Sequence, residues 1–142
     1  MASPRCWLIK SEPTVYPYEQ LEKDKRTDWT GIRNYEARNN LRAMKKGDLC
    51  LFYHSNIGKE VTGVARVLEP AGPDPTAPGE DWASVVMGPV TRVAVPVTLA
   101  VIKETKALAT MELVTKSRIS VVPVSAAHFK KVLQMGKTAL TA

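Results

Sequence analysis

Histidine and cysteine are scarce in this chain, two residues each. No HExxH or CxxC spacing occurs, so neither a catalytic metal centre nor a dithiol redox pair is expected, and no cofactor is implied. Cys6 and Cys50 lie far apart in apolar stretches and read as buried thiols. No apolar run approaches the roughly 20 residues that cross a bilayer, so no membrane partner is expected. The opening residues MASPRCWLIKSEP lack the long apolar core and small-residue cleavage site of a secretory signal, and the expected location is cytoplasmic. There is no nucleophile elbow, no phosphate-binding glycine loop and no internal repeat.

What is present fits one globular domain. The chain has 142 residues, 44% hydrophobic and 24% charged, enough for one closed core and too little for two. Twenty Lys and Arg against fourteen Asp and Glu leave a formal charge of +6, which makes long-range attraction to a polyanion physically reasonable without specifying one.

Alternation predicts a first strand over Arg5–Ile9, with Trp7 and Ile9 on one face and Cys6 and Leu8 on the other; both faces are apolar, so the strand is interior. Pro17 opens a short helix over Tyr18–Lys23. Asn34 is a good cap for a second helix, whose buried stripe is Ala37, Leu41 and Met44. Arg38, Arg42 and Lys45 repeat that spacing on another face, and two readings of this stripe stay open: a solvated helix face, or a surface for phosphates. Strands follow at Leu49–His54 and Glu60–Leu68, the latter with Gly63 inside it. A rigid proline-rich surface loop spans residues 70–78, and strand character resumes over Trp82–Val95 with a bend at Gly88-Pro89. A short helix within Leu99–Ala109, a last strand over Ile119–Val124 and a helix capped by Ser125 and ending near Met135 complete the order. Short two-faced strands with few helices predict an α+β barrel rather than alternating βαβ units.

Five segments, in order, resemble the EVE domain: Lys10-Ser11-Glu12-Pro13, Trp29 to Asn40 (WTGIRNYEARNN), Met44 to Asp48 (MKKGD), Phe52 to Asn56 (FYHSN) and Arg118 to Val124 (RISVVPV). The resemblance runs from about Trp7 to Phe129, is close to the bacterial stand-alone EVE proteins, and implies one domain over residues 1–142 with its core at about 5–135. It implies a PUA-like β-barrel with inserted and peripheral helices, related to the readers of methylated adenine and of modified cytosine. It further implies a non-catalytic, bacterial, nucleic-acid-binding protein with a DNA or RNA partner, whose modified base is flipped into an aromatic pocket. The segment Ala71–Glu80 departs from the commoner family pattern, lacking the aromatic residues often seen there.

A base reader must unstack its base, hold it on an aromatic face and hydrogen-bond its edge. Trp29, read as part of a glycine-containing turn before the basic helix, is the leading platform, with a core tryptophan as the plain alternative. Tyr53 and Trp82 are further candidate walls, and Trp7 reads as core. Ser11 and Ser120 could bond a base edge or satisfy backbone groups, and Asn34 could bind a ligand or simply cap its helix. Lys10, Arg33 and Arg38 could contact phosphates, with Arg42 and Lys45 extending the stripe along the backbone, while Glu12 is expected to pair with a cation. His54 and Ser55 at a strand end could contact a ligand.

Three other functions are consistent with parts of this pattern. A hydrolase would use His54 and Ser55 with Glu12 or Asp48, although adjacent strand residues point to opposite faces. A sensor of a free nucleoside-like molecule would use the same pocket without the basic stripe. A protein-interaction adaptor would dock through the proline-rich loop.

Overall fold

The computed structural model describes residues 5–140 and buries both faces of its central strands. In β1 (Cys6–Ser11), Trp7 and Ile9 enter one core cluster and Leu8 another, because successive strand side chains point to opposite faces. β3 (Leu49–His54) repeats this: Cys50 and Phe52 join Trp7, while Leu51 and Tyr53 join Leu8. The two strands pair in parallel, Cys6 opposite Leu49 and Ser11 opposite His54.

Between them lie α1 (Tyr18–Asp24), β2 (Thr27–Trp29) and α2 (Tyr35–Ala43). After β3 come two long strands, β4 (Glu60–Pro73) and β5 (Ala83–Thr98), then α3 (Leu99–Glu104), a 3₁₀ turn at Lys106–Leu108, α4 (Glu112–Thr115), β6 (Val121–Val124) and α5 (Ala126–Met135). The strand order is β2-β5-β4-β3-β1-β6, antiparallel except for β1 and β3. The expected mixed α and β class holds.

All six strands, the end strands included, supply side chains to the first cluster: Trp7, Trp29, Phe52, Val67, Met87 and Val121 among them. The sheet therefore curls around that cluster. Among the described residues its ladders stop at β2 and β6, and helix α2 packs against the end strand β6 and against β4 and β5. Asn40 Nδ2 donates to Val121 O at 2.7 Å, tying the helix to the end strand. The predicted stripe explains this seat: Ala37, Leu41 and Met44 are buried, and Asn34 Oδ1 accepts from Ala37 N at 2.9 Å. The second cluster is closed by the C-terminal helices through residues such as Ile102, Leu113, Phe129 and Val132.

Two expectations need correction here. The proline-rich segment is not one loop: β4 runs unbroken through Pro70 to Pro73, and only residues 74–82 leave the sheet, with Asp74 and Ala77 buried. Proline is tolerated there because the end of β4 carries the register shifts that interrupt regular pairing with β5. Trp29 is not in a turn either, since it ends β2 and pairs with Val85. The predicted bend at Gly88-Pro89 is present as a shift opposite Val64 and Ala65. At Gly63 an added Cβ would fall 2.5 Å from the Tyr18 ring, so this glycine lets α1 lie close on the strand. Tyr18 Oη donates to Val64 O at 2.8 Å, and burial pushes its phenol up to about 12.

Candidate functional site

β2 and β1 lie toward opposite ends of the sheet, and its curl brings both to one hollow of about 420 Å³. Lys10, Ser11 and Glu12 border it from the end of β1, Tyr16 from the following segment, and Trp29, Thr30 and Ile32 from the end of β2. A hollow of this size is within the range of small-molecule sites.

Trp29 is 8% exposed and does two things at once. It packs edge-on against Phe52 at 5.6 Å and Tyr16 at 6.0 Å, and it still borders the hollow. Tyr16 is held in turn by its hydroxyl, which donates to Asp24 Oδ2 at 2.8 Å, and burial pushes its phenol up. Ser11 Oγ donates to Tyr16 O at 2.6 Å, which leaves its lone pairs for a ligand donor. Lys10 Nζ donates to Ser117 O at 2.7 Å, and half-burial lowers its pKa. Ser120 adjoins this strand through its carbonyl, which accepts from Lys10 N at 3.0 Å.

The wall after Trp29 is pinned by one buried carboxylate. Asp74 Oδ2 accepts from Gly31 N at 2.9 Å and Arg33 Nη1 at 3.0 Å; Oδ1 accepts from Thr76 N at 2.7 Å and Thr76 Oγ1 at 2.6 Å. Burial alone would raise this acid, but the hydrogen bonds from Thr76, Gly31 and Arg33 outweigh it and hold the carboxyl well below the usual range. Gly31 has φ +81°, a conformation that favours glycine.

Several predicted site residues lie elsewhere. Tyr53 points into the second cluster, on the sheet face away from Trp29, because it is one residue out of phase with Phe52. Trp82 stands outside the hollow, stacked on Tyr35 at 5.2 Å and 16°. Arg33 is engaged by Asp74 and Thr76, and Asn34 caps α2. Arg38 and Arg42 both pair with Asp81, whereas Lys45 is exposed beyond them. His54 Nε2 accepts from Tyr18 N at 3.1 Å, and burial lowers its pKa; Ser55 N donates to Ser11 O at 2.9 Å. Two acids have structural partners: Glu12 accepts from Asn56 rather than from a cation, and Asp48 takes Trp7 Nε1 and the N–H groups of Arg5 and Lys45. Among the described residues no three His, Cys, Asp or Glu side chains gather in a metal-binding group.

Tyr16, Thr27, Thr30 and Ile32 border the hollow without having been singled out. Thr27 was within reach, since it is two residues from Trp29 and shares its strand face once β2 is recognised. Tyr16 sits between two prolines, where no periodicity indicates direction.

The family model described as the EVE domain matches residues 5–135. This chain belongs to the EVE domain family. The EVE chain is similar to protein Atu2648 of Agrobacterium tumefaciens, with TM-score 0.92, 42% identity, and coverage of 95% of this chain and 94% of that one. It is similar to the human THYN1 protein solved in complex with 5-methylcytosine-containing DNA, with TM-score 0.88, 30% identity, and coverage of 95% and 99%. A YTH domain of Zygosaccharomyces rouxii shares the fold, with TM-score 0.61, 14% identity, and coverage of 100% and 92%. Chicken thymocyte nuclear protein 1 is 40% identical over 82 residues, 49% of this chain and 34% of that protein, so the match spans about a third of that relative's length. No helix among the described residues is long and apolar enough to cross a membrane.

Proposed function

We propose that this EVE domain binds nucleic acid without catalysing a reaction, and that it holds one modified base, unstacked from its neighbours, in the hollow beside Trp29. The observation that carries this reading is the indole bordering an open, partly polar hollow between two ends of a curled sheet. Stacking on an aromatic ring is worth about 1–3 kcal/mol per base. Trp29 and Tyr16 supply the walls, and Ser11 supplies an acceptor for an exocyclic amine. Lys10 at the rim supplies a cation for the adjoining phosphate, and Ser120 lies beside it. The human THYN1 complex with 5-methylcytosine DNA supports the substrate class, given the shared fold and family. We read the curled sheet as a PUA-like barrel, residues 1–142 as one domain with its core at about 5–135, and the setting as cytoplasmic.

The test is a binding array of modified and unmodified DNA and RNA oligonucleotides, with Trp29→Leu alongside. The expected result is preference for a modified member by the wild type and loss of that preference in the variant, with Ser11→Ala as a check that leaves the core intact. Equal weak binding of every member by all three proteins would refute the reading.

One observation favours a second reading, a sensor of a free nucleoside. Arg38 and Arg42 share the single carboxylate of Asp81, which cancels one of the stripe's three positive charges and engages both guanidinium groups, so fewer of its donors are free for phosphates. Salt separates the two: affinity for oligonucleotides should fall as salt rises, and affinity for a free nucleoside should not.

A further inference from the structure

We infer that the Tyr35–Trp82 stack is a second nucleobase site, which takes the base adjoining the one held beside Trp29. It rests on the reading just given, and it assigns a role to residues outside the hollow. Tyr35, the first residue of α2, is 68% exposed, yet its ring is not loose. Trp82 backs it in a near-parallel stack, with 5.2 Å between centroids. The Arg38 guanidinium sits 5.0 Å from the Tyr35 centroid and 5.8 Å from that of Trp82, and Arg33 lies 5.6 Å from Trp82.

Each of these cations is itself anchored, Arg33 on Asp74 and Arg38 on Asp81. An exposed ring held this firmly has already lost the freedom that ligand binding would otherwise remove. A π face flanked by guanidinium groups is the composition that binds unstacked bases and their phosphates. The neighbouring acid Glu36 is paired with Lys116 at 2.7 Å, a cation it shares with Glu112.

Position supplies the link to the hollow. Ile32 borders it and Tyr35 follows three residues later, so at most about 10 Å of backbone separates the two. A strand with a base flipped out is extended beyond its stacked rise of about 3.4 Å per nucleotide, so that distance is on the order of a single nucleotide step. A base held at Trp29 therefore leaves a near neighbour within reach of the Tyr35 face.

The test compares wild type, Tyr35→Ala and Tyr35→Trp on two probes. One is a set of short single-stranded oligonucleotides carrying 5-methylcytosine (DNA) or N6-methyladenosine (RNA), each also made with abasic sites flanking the modified base. The other is the corresponding free modified nucleoside. The expected result is a loss of about 5- to 150-fold in oligonucleotide affinity for Tyr35→Ala, equivalent to 1–3 kcal/mol of stacking. Tyr35→Trp should restore binding, the loss should vanish on abasic probes, nucleoside affinity should be unchanged, and the thermal midpoint of Tyr35→Ala should fall only by the few degrees that loss of the Trp82 stack accounts for. If the wild type binds oligonucleotides in a Trp29-dependent way but Tyr35→Ala binds them equally well, this second site is refuted and the first stands. If the wild type binds none of the probes, both fall.

Discussion

Replacing Asp74 by Asn should loosen the wall of the hollow and destabilise the fold, by an amount that follows from its four hydrogen bonds. The carboxylate is fully enclosed and accepts two hydrogen bonds on each oxygen. An amide in the same place keeps one oxygen and turns an NH₂ group toward two donors, so one pair of bonds is lost whichever way it flips. Hydrogen bonds to charged groups are worth about 1.5–3 kcal/mol each. Arg33 is 41% exposed and regains water, which reduces the loss. The expected cost is therefore about 3 kcal/mol, or about 10 °C in melting temperature for a chain of this size.

The pH dependence gives a second check on the same variant. Asp74 is more acidic folded than unfolded, so its stabilisation is complete above the unfolded value of about 3.9 and is lost as pH falls below it. The gap between wild type and Asp74→Asn should shrink by about 1.4 kcal/mol per pH unit below about 3.9. Urea unfolding at pH values on either side of that point measures it. A variant as stable as the wild type at neutral pH, or a gap that stays constant into acid, would refute this account.

Three further outcomes are expected. Gly63→Ala should cost about 1–3 kcal/mol in urea unfolding, because the new methyl meets a Tyr18 ring whose hydroxyl is tied to Val64 O; a change under about 0.5 kcal/mol would show that α1 can move away. Asp81→Asn should release Arg38 and Arg42, strengthening oligonucleotide binding and steepening its salt slope by about 0.9 for each duplex phosphate newly met; an unchanged slope would mean that the stripe does not touch the backbone. His54 has a folded pKa lowered by burial, so the unfolded chain takes up a proton first and stability should decline as pH falls through the ordinary histidine value of about 6.5. His54→Gln should flatten that decline; an equally steep fall in the variant would place its origin elsewhere.

Local patterns were readable because they act over a few residues. The alternation in Cys6–Ser11 and Leu49–His54 identified two-faced interior strands, and Asn34, Pro17 and Ser125 marked helix starts that the structure keeps. The phase of Tyr53 was not readable in the same way. Both faces of β3 are apolar, so hydrophobicity could not tell which one adjoins Trp29. Asp74, Asp81 and Trp82 sit in a proline-rich stretch without periodicity, and their partners Arg33, Arg38 and Tyr35 lie some forty positions earlier.

Amino-acid order alone determined the class of the fold, the buried stripe of α2 and the family to which the chain belongs, because each is written in short-range spacing or in an ordered set of motifs. Only the tertiary structure decided that β1 and β2 border one hollow and that Trp82 backs Tyr35 instead of lining it. It also decided that Asp81 occupies the basic stripe. These depend on how far a six-stranded sheet curls and on which distant charges then meet, and neither quantity is carried by neighbours in sequence.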